Sequence, residues 1–173
     1  MGRIFVFLVT CMMLVQESSA LEYSDMKDLL NFHQITATIA TSGQPSAHQF
    51  LGVVKEGYSA VINLATFTSP SAVIEEDKIV SELGMLYIHI PVDWEAPTVE
   101  DLKVFFRVME ALDGQKVLVH CAMNYRVSAF MYKYLTLIKG HEHDASTSPI
   151  LRSWQPSMSD SWKSILALKT DDF

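Results

Sequence analysis

Val117-Leu118-Val119-His120-Cys121-Ala122-Met123-Asn124-Tyr125-Arg126 reads as a buried strand, a sharp loop and the entry of a helix. The apolar run is strand-like, and a cysteine leaves its end five positions before an arginine. In so tight a turn, backbone N–H groups converge on one point. The helix N-terminus adds partial positive charge there. The result is an anion cradle with a thiol at its base, in a field that favours the thiolate, the reactive form. Arg126 adds a planar donor fork for a phosphate-like group. The loop contains no glycine, and Asn124 is the residue in it that best tolerates left-handed backbone angles.

Outward from this stretch, strands and helices alternate. Residues 35–40 alternate apolar side chains with Thr, and Ser42-Gly43-Gln44-Pro45 is a turn. Ser46 and Gln49 have capping-box spacing ahead of a helix that stops at Gly57. Residues 60–65 are an apolar strand interrupted by Asn63. Ser69-Pro70 opens a helix with Val73, Ile74, Ile79, Val80 and Leu83 as its buried stripe, ending at Gly84. A strand over 85–92 leads into a rigid loop over 91–97. Thr98 and Asp101 cap a helix with an apolar face that ends at Gly114. After the Cys121 loop, a helix runs over 126–139 to Gly140. Residues 141–160 read as a long surface loop, and 161–169 as a last helix. The pattern predicts an α/β fold, a single domain with a mostly parallel sheet flanked by helices. In such a sheet the site lies beyond the carboxyl ends of the strands, where the loops after Ile90 and Val119 can meet.

Composition narrows the function class. Of 173 residues, 49% are apolar and 19% charged, which excludes a disordered chain, and a net charge of −7 argues against nucleic-acid or anionic-membrane partners. The first 20 residues differ from the rest: Arg3 precedes an apolar run broken only by Thr10, and Ser18 and Ala20 stand at the −3 and −1 positions of a cleavage site. Residues 1–20 are therefore expected to be a signal peptide, with an exported, periplasmic or secreted, product and no stable membrane anchor after cleavage. The alternative is an uncleaved N-terminal anchor, although the run falls short of the roughly 20 residues a spanning helix needs. Residues 21–173 form the expected domain, with a core over about 31–140 and a C-terminal loop and helix over 141–173. Cleavage removes Cys11 and leaves Cys121 as the single cysteine, so no intramolecular disulfide is possible.

The loop motif resembles that of the cysteine-dependent phosphatases, in which His-Cys is followed by five residues, an arginine and usually Ser or Thr. Here four residues separate Cys121 from Arg126, Val127 follows, and Ser128 stands one position later. From about residue 31 to 139 the chain is similar to a bacterial family of phosphatase-like proteins related to dual-specificity phosphatases. That family includes the phosphatase-like part of beta-lactamase-hydrolase-like proteins. The matching segments are Ser42-Gly43-Gln44-Pro45, Val61-Ile62-Asn63-Leu64, Ile90-Pro91-Val92-Asp93, His120-Cys121 and Asn124-Tyr125-Arg126-Val127-Ser128-Ala129-Phe130.

The resemblance implies a cysteine-phosphatase-like fold and hydrolysis of a phosphomonoester, on a small molecule or a protein, through a phosphocysteine. Cys121 is then the nucleophile. Arg126 and the backbone N–H groups of Ala122, Met123, Asn124 and Tyr125 hold the phosphoryl oxygens. Asp93 sits on the loop where the family carries its general acid, with Glu95 as runner-up. His120 orients the loop, and Ser128 is a candidate to hydrogen-bond the sulfur. Gln44 and Asn63 either line the pocket or satisfy backbone groups. No cofactor is implied. His141 and His143 lack a third ligand, so no metal is expected either. Two further readings stay open. The short loop, similar in length to that of the rhodanese sulfurtransferases, suits persulfide or sulfur transfer. A catalytically inactive module binding an anion or a partner would need no acid at all.

Overall fold

The computed structural model describes residues 25–173; the expected leader and its cleavage site lie outside them. Five strands are described: β1 (His33–Gln34), β2 (Ile39–Ser42), β3 (Ala60–Asn63), β4 (Leu86–His89) and β5 (Val117–His120). They form one sheet in the order β1-β2-β5-β3-β4, parallel except for the antiparallel edge pair β1–β2. The expected α/β class and mostly parallel sheet are thus what the chain forms.

Strand periodicity explains why β3 and β5 read as continuous apolar runs. In a pleated strand alternate residues face opposite sides. Val117, Val119, Ala60 and Ile62 face one core, with α3 (Val99–Ala111), α4 (Tyr125–Lys133), α6 (Pro149–Trp154) and α7 (Asp160–Ala167). Leu118 and Val61 face the other, with Phe50 and Val53 of α1 (Phe50–Lys55) and Val80 of α2 (Glu76–Glu82). The helix stops work as read: Gly57, Gly84, Gly114 and Gly140 all take positive φ.

Several boundaries differ from the sequence expectation. The strand expected over 35–40 is mostly the turn between β1 and β2, with only Ile39 and Ala40 in strand, because the Thr36 hydroxyl accepts the N–H groups of Thr38 (3.2 Å) and Ile39 (3.0 Å) and turns the chain. The helix expected from Ser69-Pro70 begins only at Glu76; Glu75 is left-handed (φ 55°), and Ile74 is 86% exposed instead of packing in a stripe. The helix after the loop changes after Lys133 to a π turn over Tyr134–Ile138, where the Thr136 hydroxyl bonds the Tyr132 carbonyl (2.8 Å).

The largest correction is the tail. Residues 141–160 are not a surface loop but contain α5 (His143–Ser146) and α6, the latter capped by the Ser148 hydroxyl on the Leu151 N–H (3.2 Å) with Pro149 in its first turn. Leu151, Trp154 and Met158 are buried in the core beside α4. Among the described residues no helix is long and apolar enough to cross a membrane.

Candidate active site

The loop after β5 is held from three directions. Asn124 takes the left-handed conformation (φ 67°) that starts α4, and its side-chain amide donates to the Asn31 carbonyl (2.7 Å) and the Thr41 hydroxyl (3.1 Å). Asn31 returns a bond to the Met123 carbonyl (2.9 Å). On the other side, Gln44 N–H donates to the Ala122 carbonyl (3.1 Å) and Cys121 N–H to the Ser42 carbonyl (3.3 Å). Gly43 bridges Met123, and a Cβ there would lie 2.9 Å from the Ala122 oxygen, so only glycine allows this approach. Ser128 is buried, and its hydroxyl donates to the Tyr125 carbonyl (2.8 Å), which commits its donor to the loop backbone and not to sulfur.

Above the loop lies a cavity of about 410 Å³. Cys121, Ala122, Met123, Tyr125 and Arg126 line it from the loop; Trp94 lines it from the segment after β4, and Thr66, Thr68, Ser69 and Pro70 from the segment after β3. Cys121 is buried at its base and is the free thiol among the described residues. Arg126 is 7% exposed, its Nε has no hydrogen-bond partner, and among the described residues no carboxylate pairs with it. Its guanidinium carbon stands 5.4 Å from the Trp94 ring centre. The backbone N–H groups of Ala122, Met123, Asn124, Tyr125 and Arg126 donate to no backbone carbonyl among the described residues. A buried, always-charged cation thus lines the same cavity as the thiol.

Behind the loop, on the opposite face of the sheet, sits a second polar cluster. The parallel register sets Asn63 opposite His120, and both face α2. The first residue of α2, Glu76, is 4% exposed. It accepts from Asn63 Nδ2 (3.0 Å) and Gln44 Nε2, and it pairs with His120 Nε2 (3.0 Å). Burial alone would push its carboxyl up. Hydrogen bonding and charge from His120, with hydrogen bonds from Gln44 and Tyr87, outweigh that and hold it below the usual carboxylate range. Burial, then the Glu76 charge, pushes the Tyr87 phenol well above its ordinary value.

The two expected acids are placed differently. Asp93 is exposed and outside the cavity lining; its carboxylate accepts the Glu95 N–H (2.8 Å) and so closes its own turn. Glu95 is exposed as well. His120, Asn124 and Ser128 support the loop from behind, while Gln44 and Asn63 belong to the Glu76 cluster. Sequence reading missed Glu76, although its spacing of three and four residues from Ile79 and Val80 sets it on the helix's buried stripe. It also missed the Thr66–Pro70 wall and Trp154, which stacks on Tyr125 (5.2 Å between ring centres) and Trp94 (5.3 Å).

His143 has its Nδ1 against the Tyr132 hydroxyl (2.5 Å). Among the described residues no group of His, Cys, Asp and Glu is arranged to hold a metal ion.

This fold has solved relatives. A crystal structure of a DUF442 protein from Shewanella putrefaciens CN-32, a candidate phosphatase, is 35% identical to this chain, covers 82% of it and 91% of its own length, and superposes with a TM-score of 0.74. The chain belongs to the DUF442 family of phosphatase-like proteins. TpbA of P. aeruginosa shares the fold at 15% identity, over 83% of this chain and 88% of its own, with a TM-score of 0.66. A beta-lactamase hydrolase-like protein of Xylella fastidiosa is 28% identical over 109 residues, 61% of this chain, and the chain spans about a quarter (25%) of that relative's length. The resemblance read from the loop motif therefore holds. No profile of a known protein family matches the chain.

Proposed function

We propose that this DUF442 protein hydrolyses a phosphomonoester through a phosphocysteine on Cys121. The carrying observation is Arg126, a buried guanidinium without a carboxylate partner, lining the same cavity as the thiol. An unpaired buried cation is costly unless an anion is expected there. A phosphoryl dianion satisfies both it and the free N–H groups of residues 122–126.

In the first step the Cys121 thiolate attacks phosphorus, the S–P bond forms, and the P–O bond to the leaving group breaks as that oxygen takes a proton. In the second, water attacks phosphorus, gives up a proton and releases phosphate and thiolate. Asp93 is the proposed proton carrier, with Glu95 as the alternative. From its present place Asp93 must give up the Glu95 N–H and turn inward, as substrate-closed loops do. TpbA, a fold neighbour, has been crystallised with phosphotyrosine, which makes aryl phosphates the natural first substrates.

The deciding experiment is hydrolysis of an aryl phosphate by the reduced protein across pH, beside Cys121→Ser. Turnover that requires Cys121, with a bell-shaped profile, supports the reading; no turnover with a free thiol overturns it.

One observation favours a second reading. Among the described residues no carboxylate lines the cavity, and transfer of a terminal sulfur to or from a cysteine persulfide needs no general acid at a leaving oxygen. A thiosulfate or persulfide transfer assay on the same preparation separates the two. Export of the protein, expected from residues 1–20, is likewise a proposal; N-terminal sequencing of the product made in a bacterial host tests it.

A further inference from the structure

We propose that Glu76 is a positioning residue for the nucleophile, holding the Cys121 loop through His120 and Gln44. The inference takes Cys121 as the reacting group, as in the function proposed above, but not the identity of what it attacks.

The geometry is unusual for a stabilising device. Glu76 opens α2, where a carboxylate would ordinarily stay in water. Here it is buried against the carboxyl edge of the sheet. Burying an ion pair costs about as much desolvation as it returns in attraction, so apolar packing at this place would serve stability at least as well.

What the cluster supplies is connection. His120 immediately precedes Cys121 and is pinned at its carbonyl by the Leu64 N–H (2.8 Å). Gln44 follows Gly43, whose segment bonds the Ala122 carbonyl immediately after Cys121. Glu76 grips both side chains, and it is itself braced by Asn63 of β3 (3.0 Å), whose amide also donates to the Tyr87 hydroxyl of β4 (3.2 Å). One carboxylate thus ties the residue before the thiol to the segment that braces the residue after it.

The acceptor also sets a proton. An ionised carboxylate can only accept, so His120 Nε2 must carry hydrogen toward Glu76. His120 Nδ1 is then left buried and without a partner among the described residues, one position from the thiol. The imidazole packs edge-on to Phe50 (6.1 Å between ring centres). The charged and titratable groups facing the cluster are His120 on β5, Tyr87 on β4 and, through Tyr87, Asp77 on α2.

The test reads the thiol directly and needs no turnover. The rate of Cys121 alkylation by iodoacetamide is measured across pH in the wild type, Glu76→Gln, His120→Asn and the double variant, with melting temperatures alongside. Glu76→Gln keeps the size but turns a donor toward donors, so the alkylation rate at neutral pH falls about tenfold and the inflection moves to higher pH. The double variant shows no further loss beyond the larger single one, because both act through one contact. A purely structural role predicts lower melting with an unmoved inflection, and that result overturns the proposal, as does additivity.

Tyr87→Phe covers the case in which Glu76→Gln does not fold: it removes the hydroxyl that the Asn63 amide also bonds, loosening the Asn63 brace on Glu76 without touching the loop. Slower alkylation at wild-type melting temperature supports the proposal; an unchanged alkylation profile overturns it. Because alkylation is independent of phosphate chemistry, absence of phosphatase turnover with a shifted profile would sink the function above and leave this positioning role standing.

Discussion

The loops after β5 and after β4 both leave the carboxyl edge of the sheet, yet they are built in different ways. The Cys121 loop is clamped by Asn31, Asn124, Gly43 and Gln44, and its thiol and the Arg126 guanidinium already share a cavity. The loop over 91–97 turns Trp94 inward, where it touches Arg126 and the Trp154 and Trp162 rings, but leaves Asp93 outside, holding only its own turn. On the proposed reading, the anion cradle is already assembled and the proton carrier is not. Preorganised donors cost no reorganisation during reaction, whereas a loop that must move adds a step.

The sharpest way to break that contrast is Arg126→Ala. If the cradle is complete as it stands, losing its one buried cation lowers kcat/KM on an aryl phosphate by about 10²–10³-fold, the scale for removing a preorganised electrostatic contact. Arg126→Lys keeps the charge but not the two-pronged geometry, and recovers only part of the loss. Activity within a few-fold of wild type in both variants would mean the oxyanions are held elsewhere.

Asp93→Asn addresses the other half. An acid delivered by loop movement matters in proportion to the basicity of the leaving oxygen, so an alkyl phosphate loses about 10²-fold while an activated aryl phosphate is nearly unchanged. Parallel losses on the two substrates would instead mean that Asp93 serves the loop's turn. The same measurements on Glu95→Gln decide between the two acids.

Gly43→Ala sharpens the comparison from the stability side. The added methyl meets the Ala122 carbonyl at 2.9 Å and the Leu30 side chain at 3.0 Å. Leucine can shift but the loop backbone cannot, so unfolding free energy falls by about 1–3 kcal/mol, seen in denaturant melts, and activity falls with it. Ala96→Gly, in the other loop, changes stability by less than about 1 kcal/mol.

How much of this could be read beforehand follows the range of the forces involved. The strand-loop-helix unit at Cys121 was legible because its signals are local: an apolar run, a turn without room, and Asn124 as the residue able to take φ 67°. The helix stops at Gly57, Gly84, Gly114 and Gly140 were local too. Long-range partners were not. Trp154 reads as part of a polar tail until the fold stacks it on Tyr125 and Trp94, although Ser148-Pro149 had already marked a helix start there. Glu76 has the helical spacing of a buried position, but nothing local names its partners until the register of β3 and β5 brings Asn63 and His120 to it. Site residues set by sequence neighbours were visible; those set by which strand lies beside which were not.

The smallest expected effect follows from that same carboxylate. Glu76 is held below its ordinary value of 4.5 in the folded protein, so its ionisation contributes stability that is fully present above that pH. The contribution is lost as pH falls below 4.5 toward the depressed folded value, where the folded state must take up the proton it resisted. Melting temperature measured from pH 6 down to about pH 3 should therefore drop more steeply in the wild type than in Glu76→Gln, with the two curves converging in acid. Curves that stay parallel would place the acid sensitivity in other carboxylates. In that event the cluster behind Cys121 would contribute little to the pH dependence of folding, and the contrast between the two loops would rest on the backbone clamps alone.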